Sequence, residues 1–154
     1  MSLKLESPEQ SIANTLQVVA PHLTIHAQLK IQDRSEEVMV MIDSGATGNF
    51  IDTAYCSKLQ IPVEKKTKPE SVRAVDRTLL TSGPISHQTQ TILLLFNEGD
   101  QRHEEELKFE IIDAPQFGII LGMPWLTLHN PCINWADRHV SFDSEWCIQE
   151  CLGS

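Results

Sequence analysis

Val38-Met39-Val40-Met41-Ile42 leads straight into Asp43-Ser44-Gly45, and Ala46-Thr47-Gly48 follows. The apolar run reads as a strand and the small residues as a tight turn. An acid carried this way sits at the end of a rigid element, on the floor of a cleft, rather than on a mobile loop. The chain has one such triplet. Chemistry that uses a pair of carboxylates needs two, so this chain encodes half of such a centre and a second copy would have to supply the other half.

Working outward, Leu23 to Ile31 places Leu, Ile, Ala, Leu and Ile on every second residue, the period of a half-buried strand. Gln32-Asp33-Arg34-Ser35 should turn the chain into a second strand from Glu37 that ends at Asp43. Asp52 to Leu59 reads as one or two helical turns stopped before Pro62, with Asp52 suited to an N-cap rather than to a second catalytic role. Val72 to Ser82 reads as a hairpin with its tip at Asp76-Arg77. Ile85 to Phe96 reads as one long segment whose apolar far end is buried on both faces, closed by the turn Asn97-Glu98-Gly99-Asp100. Glu104-Glu105-Glu106 is expected to be a solvated edge leading into Leu107, Phe109 and Ile111. Phe117 to Gly122 is a short buried strand, Met123-Pro124-Trp125-Leu126 starts a helix, and Ile133–Trp135 with Val140–Phe142 forms a terminal hairpin. Near the start, Ser7-Pro8-Glu9-Gln10 offers a helix-capping signal.

The 154 residues suit one domain: a flank over 1–22, a mainly β domain over 23–143 and a C-terminal tail over 144–154. Twelve Lys and Arg against 21 Asp and Glu give a formal charge of −9. Nucleic-acid and acidic-lipid partners are disfavoured, since both need a basic face. No stretch approaches the ~20 apolar residues of a membrane span. Cys56, Cys132, Cys147 and Cys151 are too few for a disulfide-built fold, which points to reduced thiols and a cytoplasmic location.

An Asp, Ser-or-Thr, Gly triplet arises by chance in roughly one chain in ten or twenty of this length, and a plain turn favours the same residues. A second element lowers the weight of that reading, because Ile119-Ile120-Leu121-Gly122 pairs an apolar strand and a Gly with a following helix. Three ordered motifs, Asp43 to Asp52, Ile120 to Leu126 and His129 to Trp135, resemble the retropepsin-type aspartic protease of Ty3/gypsy retrotransposons. The likeness is to the sushi class and its domesticated vertebrate Gag-Pol-like relatives, and it covers about Leu23 to Phe142.

The resemblance implies a closed-β acid-protease fold with one or two short helices, active as a homodimer in which each subunit gives one catalytic Asp43. It implies that Ser44, Gly45 and Ala46 support the active-site loop, that Val75, Asp76, Arg77 and Leu80 belong to a flap, and that Ile120, Leu121 and Gly122 form the strand of a psi-loop. It also implies an extended polypeptide substrate, a Gag-Pol-like polyprotein or the chain's own flanks; binding in such a cleft is by strand addition, and by their positions Ala46, Val75, Leu80 and Ile120 are expected to form its apolar walls. One departure is Arg77 where relatives carry Gly at the flap tip, since a positive-φ turn costs Arg about 1 kcal/mol. The alternative function is a catalytically silent dimerisation or peptide-binding module. No cofactor or metal is expected. Cys147 and Cys151 could be grouped with Cys132 and His139 as zinc ligands, but Cys-x-x-x-Cys without a second matching pair favours a buried thiol or a disordered tail. His22 and His26 fall in a strand pattern that does not pair them. Trp125, Trp135 and Trp146 read as core or interface aromatics, with Trp146 the most exposed.

Overall fold

The computed structural model describes residues 23–70, 74–75, 78–79, 84–98 and 101–153. The N-terminal flank, with its Ser7-Pro8 helix signal and His22, lies outside the described residues. Strands β1 (Leu23–Ile31) and β2 (Arg34–Ile42) form a hairpin in which Ile31 pairs with Arg34. The turn is therefore two residues rather than four, made possible by Gln32 at φ 58°. Arg34 joins the strand because its guanidinium donates to the carbonyls of Leu59 and Gln60 at 2.6 and 2.7 Å.

After β2 come β3 (Phe50–Asp52), α1 (Thr53–Lys58), β4 (Val63–Glu70), and the short pair β5 (Ala74–Val75) and β6 (Thr78–Leu79). Strands β7 (Ile85–Thr89), β8 (Ile92–Glu98), β9 (Gln101–Leu107), β10 (Glu110–Ile112) and β11 (Ile119–Leu121) follow. The chain closes with α2 (Met123–His129), the hairpin β12 (Cys132–Asn134) and β13 (His139–Ser141), α3 (Glu145–Glu150) and β14 (Leu152–Gly153). Ten strands form one sheet in the order β14-β9-β8-β1-β2-β11-β3-β10-β7-β4.

The mainly β expectation holds, with three corrections. The segment Ile85 to Phe96 is two strands, because the chain breaks at Gln90-Thr91, and the amide of the wholly buried Thr89 donates to the Phe109 carbonyl. Strand β4 was not legible at all: Val63 is its single large apolar residue, and it is an edge strand on which Lys65 and Lys68 are exposed while Lys66 is drawn into an ion pair with Glu110. Within the expected tail 144–154, residues 144–153 pack onto the domain. Ser144 caps α3 by accepting from the Cys147 amide, Cys147 and Cys151 are buried, and β14 pairs with β9 on the main sheet, so the domain has three helices rather than one or two.

Alternation along the central strands builds a core on each face of the sheet. Val38, Val40 and Ile42 of β2, Ile51 of β3, and Ile119 and Leu121 of β11 enter the larger cluster, together with Leu94, Phe109, Trp125 and Phe142. Met41, Phe50 and Ile120 enter the smaller one with Ala46, Ile85, Ile112 and Ala114. Since both faces are covered, the central strands read as unbroken apolar runs. Trp125 is core, whereas Trp135 at 66% exposure is more open than Trp146 at 43%.

Candidate active site

Asp43 leaves the sheet where three strands meet. β11 lies between β2 and β3, parallel to β2 with Ile120 opposite Met41, and antiparallel to β3 with Ile120 opposite Phe50. The loop from β2 to β3 must therefore pass over the end of an intervening strand, which fixes both of its ends. The Asp43 amide donates to the Leu121 carbonyl at 3.0 Å, and the Ala46 amide closes the turn onto the Asp43 carbonyl at 3.0 Å. On the side chain, Oδ1 accepts from the Gly45 amide at 2.9 Å.

Gly122 locks this loop to α2. A Cβ there would lie 2.3 Å from the Gly48 carbonyl oxygen and 2.6 Å from that of Ala46, so only glycine allows the approach. The Met123 amide then donates to the Ala46 carbonyl at 2.9 Å, and the Gly122 amide donates to Asn49 Oδ1 at 3.1 Å. Gly122 is thus the residue before α2 rather than part of the strand.

Asp43 is 6% exposed, and its Oδ2 is buried without a hydrogen-bond partner. Ser44 and Gly45 beside it are exposed. Asp52 has the opposite character. Its Oδ2 accepts from the Tyr55 amide at 3.1 Å and its Oδ1 from the Ala114 amide at 2.9 Å, so this buried carboxylate is consumed in capping α1 and tying it to the chain after β10.

A family model of the PEG10/RTL1 protease domain matches residues 39–151. The chain belongs to this family. The match agrees with the Gag-Pol-like resemblance carried by the three motifs, and it runs on through α3. Among solved structures, the retroviral protease-like domain of Ddi1 from Leishmania major is similar, with 14% identity, 82% of this chain and 96% of that chain covered, and a TM-score of 0.45.

In this PEG10/RTL1 protease domain, Ala46 and Ile120 pack into the smaller core cluster. β5 and β6 pair antiparallel with Val75 opposite Thr78, the register of the expected flap hairpin. Its tip, Asp76-Arg77, and Leu80 lie outside the described residues. No helix among the described residues is long and apolar enough to cross a membrane.

A second group of reactive side chains lies in the larger core. His103 of β9, His129 at the end of α2, Cys147 of α3 and Cys151 at its C-cap are all buried, with one donor atom from each lying within 4.8 Å of the others. Cys132 and His139, grouped with these cysteines on sequence grounds, are exposed instead. Burial pushes the Cys147 thiol up and the Cys151 thiol up to about 12. His103 is driven down to about 4 by the same desolvation, against the pull of the Glu105 charge. Glu105 also corrects the solvated-edge expectation, since its carboxylate accepts from the Trp125 indole at 2.8 Å and lies 3.1 Å from His129 Nε2.

The two histidines carry no recognisable spacing signal. The available clue is strand parity: once β9 starts at Gln101, His103, Glu105 and Leu107 share one face.

Proposed function

We propose that this domain is an aspartic endopeptidase whose reactive centre is a pair of Asp43 carboxyls, one from each subunit of a homodimer. The observation that carries this reading is Asp43 Oδ2, a buried carboxylate oxygen that finds no partner among the described residues while Oδ1 is fixed by the Gly45 amide. A buried polar atom is costly unless paired. A second, symmetry-related Asp43 is a natural partner, and the exposed Ser44-Gly45 edge lets two loops approach.

Two carboxyls a few ångströms apart cannot both ionise cheaply, so the pair shares one proton and titrates as a unit. The ionised member takes a proton from a water, whose oxygen attacks the scissile carbonyl carbon. The protonated member donates to the carbonyl oxygen. Collapse of the tetrahedral species breaks the C–N bond: the departing nitrogen receives the proton taken from water, and one hydroxyl of the gem-diol returns its proton to the carboxylate that had protonated the carbonyl, which restores the singly protonated pair. An extended polypeptide would lie across both subunits as an added strand, covered by the hairpin that contains β5 and β6. A Gag-Pol-like polyprotein or the chain's own flanks are the proposed substrates.

Asp43→Asn tests this. Cleavage of an extended apolar peptide at mildly acidic pH should be present in wild type and lost in the variant, with both sedimenting as dimers. A wild-type dimer that cleaves nothing at high concentration would favour the silent peptide-binding module, and a strictly monomeric protein would remove the paired centre.

A further inference from the structure

We propose that His103, His129, Cys147 and Cys151 are the four ligands of a structural zinc ion that fastens the C-terminal helix to the body of the domain. The site is separate from Asp43 and independent of any proteolytic role. α3 supplies Cys147, and Cys151 caps its C-terminus one turn on, its amide donating to the Cys147 carbonyl, so both sulfurs lie on the same side. α2 ends at His129 and β9 brings His103, so three elements distant in sequence converge on one point.

The distances fit a single ion. Bonds of about 2.3 Å to sulfur and 2.0–2.1 Å to nitrogen set tetrahedral N···S edges of about 3.5 Å. Cys147 Sγ lies 3.3 Å from His129 Nδ1 and 3.4 Å from His103 Nε2, and Cys151 Sγ lies 3.8 Å from His129 Nδ1. The greatest separation in the group, 4.8 Å, requires a closure of about 1 Å.

The surroundings have the form of a ligand support. A ligating histidine ordinarily gives its other ring N–H to a carboxylate. Here His129 Nδ1 faces the sulfurs while Nε2 meets Glu105, which is itself oriented by the Trp125 indole. His103 is completely buried, and among the described residues its Nδ1 has no hydrogen-bond partner, while its Nε2 is aimed at Cys147. Phe142 stacks on the His103 ring at 3.9 Å and Phe96 lies beside it, excluding water.

Binding releases the two thiol protons. Two thiolates, two neutral imidazoles and Zn²⁺ then form a centre with no net charge, suited to an apolar shell. Sulfur and imidazole donors select zinc over calcium or magnesium, and four protein ligands leave no open position for catalysis.

The full chain, purified reduced and without chelators, should carry about one zinc per chain by elemental analysis. Cys56→Ser and Cys132→Ser should retain that content, and Cys147→Ser/Cys151→Ser should lose it. Chelation should lower Tm, and added Zn²⁺ should restore it. If the double variant does not fold, Co²⁺ titration of the chelated wild type decides: visible bands of tetrahedral cobalt and a thiolate-to-cobalt absorption should saturate at one equivalent. Substoichiometric zinc with no such spectrum would overturn the proposal, as would a Cys147–Cys151 disulfide in the freshly isolated, metal-free protein.

Discussion

Replacing Gly122 with alanine should damage the Asp43 loop more than any other single methyl added to this domain. The new Cβ would sit 2.3 Å from the Gly48 oxygen and 2.6 Å from the Ala46 oxygen, both main-chain atoms that cannot rotate away. Real Cβ contacts essentially never fall below 3.0 Å, so the loop must retreat by at least several tenths of an ångström at both points. That retreat strains the Met123 amide bond to the Ala46 carbonyl and, one link further, the Ala46 amide bond to Asp43. Overpacking of this kind costs about 2–3 kcal/mol, which at this size lowers Tm by roughly 8–12 °C. A reacting group displaced toward 1 Å loses about 10²-fold in rate, and kcat/KM should fall by that order in a protease. Gly118→Ala is the control. Its φ of +74° imposes strain, yet the nearest atom to the added Cβ is Tyr55 Cδ2 at 3.9 Å. It should cost about 1 kcal/mol and leave activity alone. Thermal melting and peptide cleavage of both variants provide the assay. A Gly122→Ala protein that melts and cleaves like wild type would refute the close-approach account of the loop.

Asp52→Ala should destabilise the domain by about 2–4 kcal/mol, because the Tyr55 and Ala114 amides lose their acceptors, whereas Asp52→Asn, which keeps one of the two acceptors, should cost about half as much and keep all of the cleavage activity. Loss of turnover in a folded Asp52→Asn protein would count against the purely structural role. Two copies carry −18, so dimers should weaken as salt is removed and repulsion is unscreened. Sedimentation showing tighter association at low salt would reject that.

What could be read from the chain divides along a physical line. Val40 to Ile42 of β2, Phe50-Ile51 of β3 and all of β11 announce themselves because segments covered on both faces are apolar at successive positions, and the Asp43 turn and the Asp52 cap need specific small or acidic residues. Gly122 was recognisable as part of a motif, but its reason, two carbonyl oxygens arriving from Ala46 and Gly48, is a tertiary fact. β4 was hidden because an edge strand needs no apolar period. α3 was mistaken for a tail because Glu145 to Glu150 has few large apolar residues, and its buried face is largely Cys147 and Cys151. The polar cluster follows the same logic. Burial of His103 and His129 is decided by partners from other elements, which local periodicity does not record.

α2 connects the two centres. It begins at Met123, whose amide holds Ala46 in the Asp43 loop, and ends six residues later at His129 in the cluster. A helix of that length spans only about 10 Å and moves as one piece, so freedom at its C-terminal end becomes tilt at its N-terminal end. If zinc holds His129, removing it should therefore loosen a hydrogen bond that belongs to the Asp43 loop. Hydrogen exchange makes this measurable: the Met123 amide should exchange faster in chelated protein than in zinc-loaded protein, while the Leu29 amide, which lies in β1, stays protected in both. Equal protection of Met123 in the two states would show that the cluster and the Asp43 loop are mechanically independent, and that any loss of cleavage on chelation has another origin.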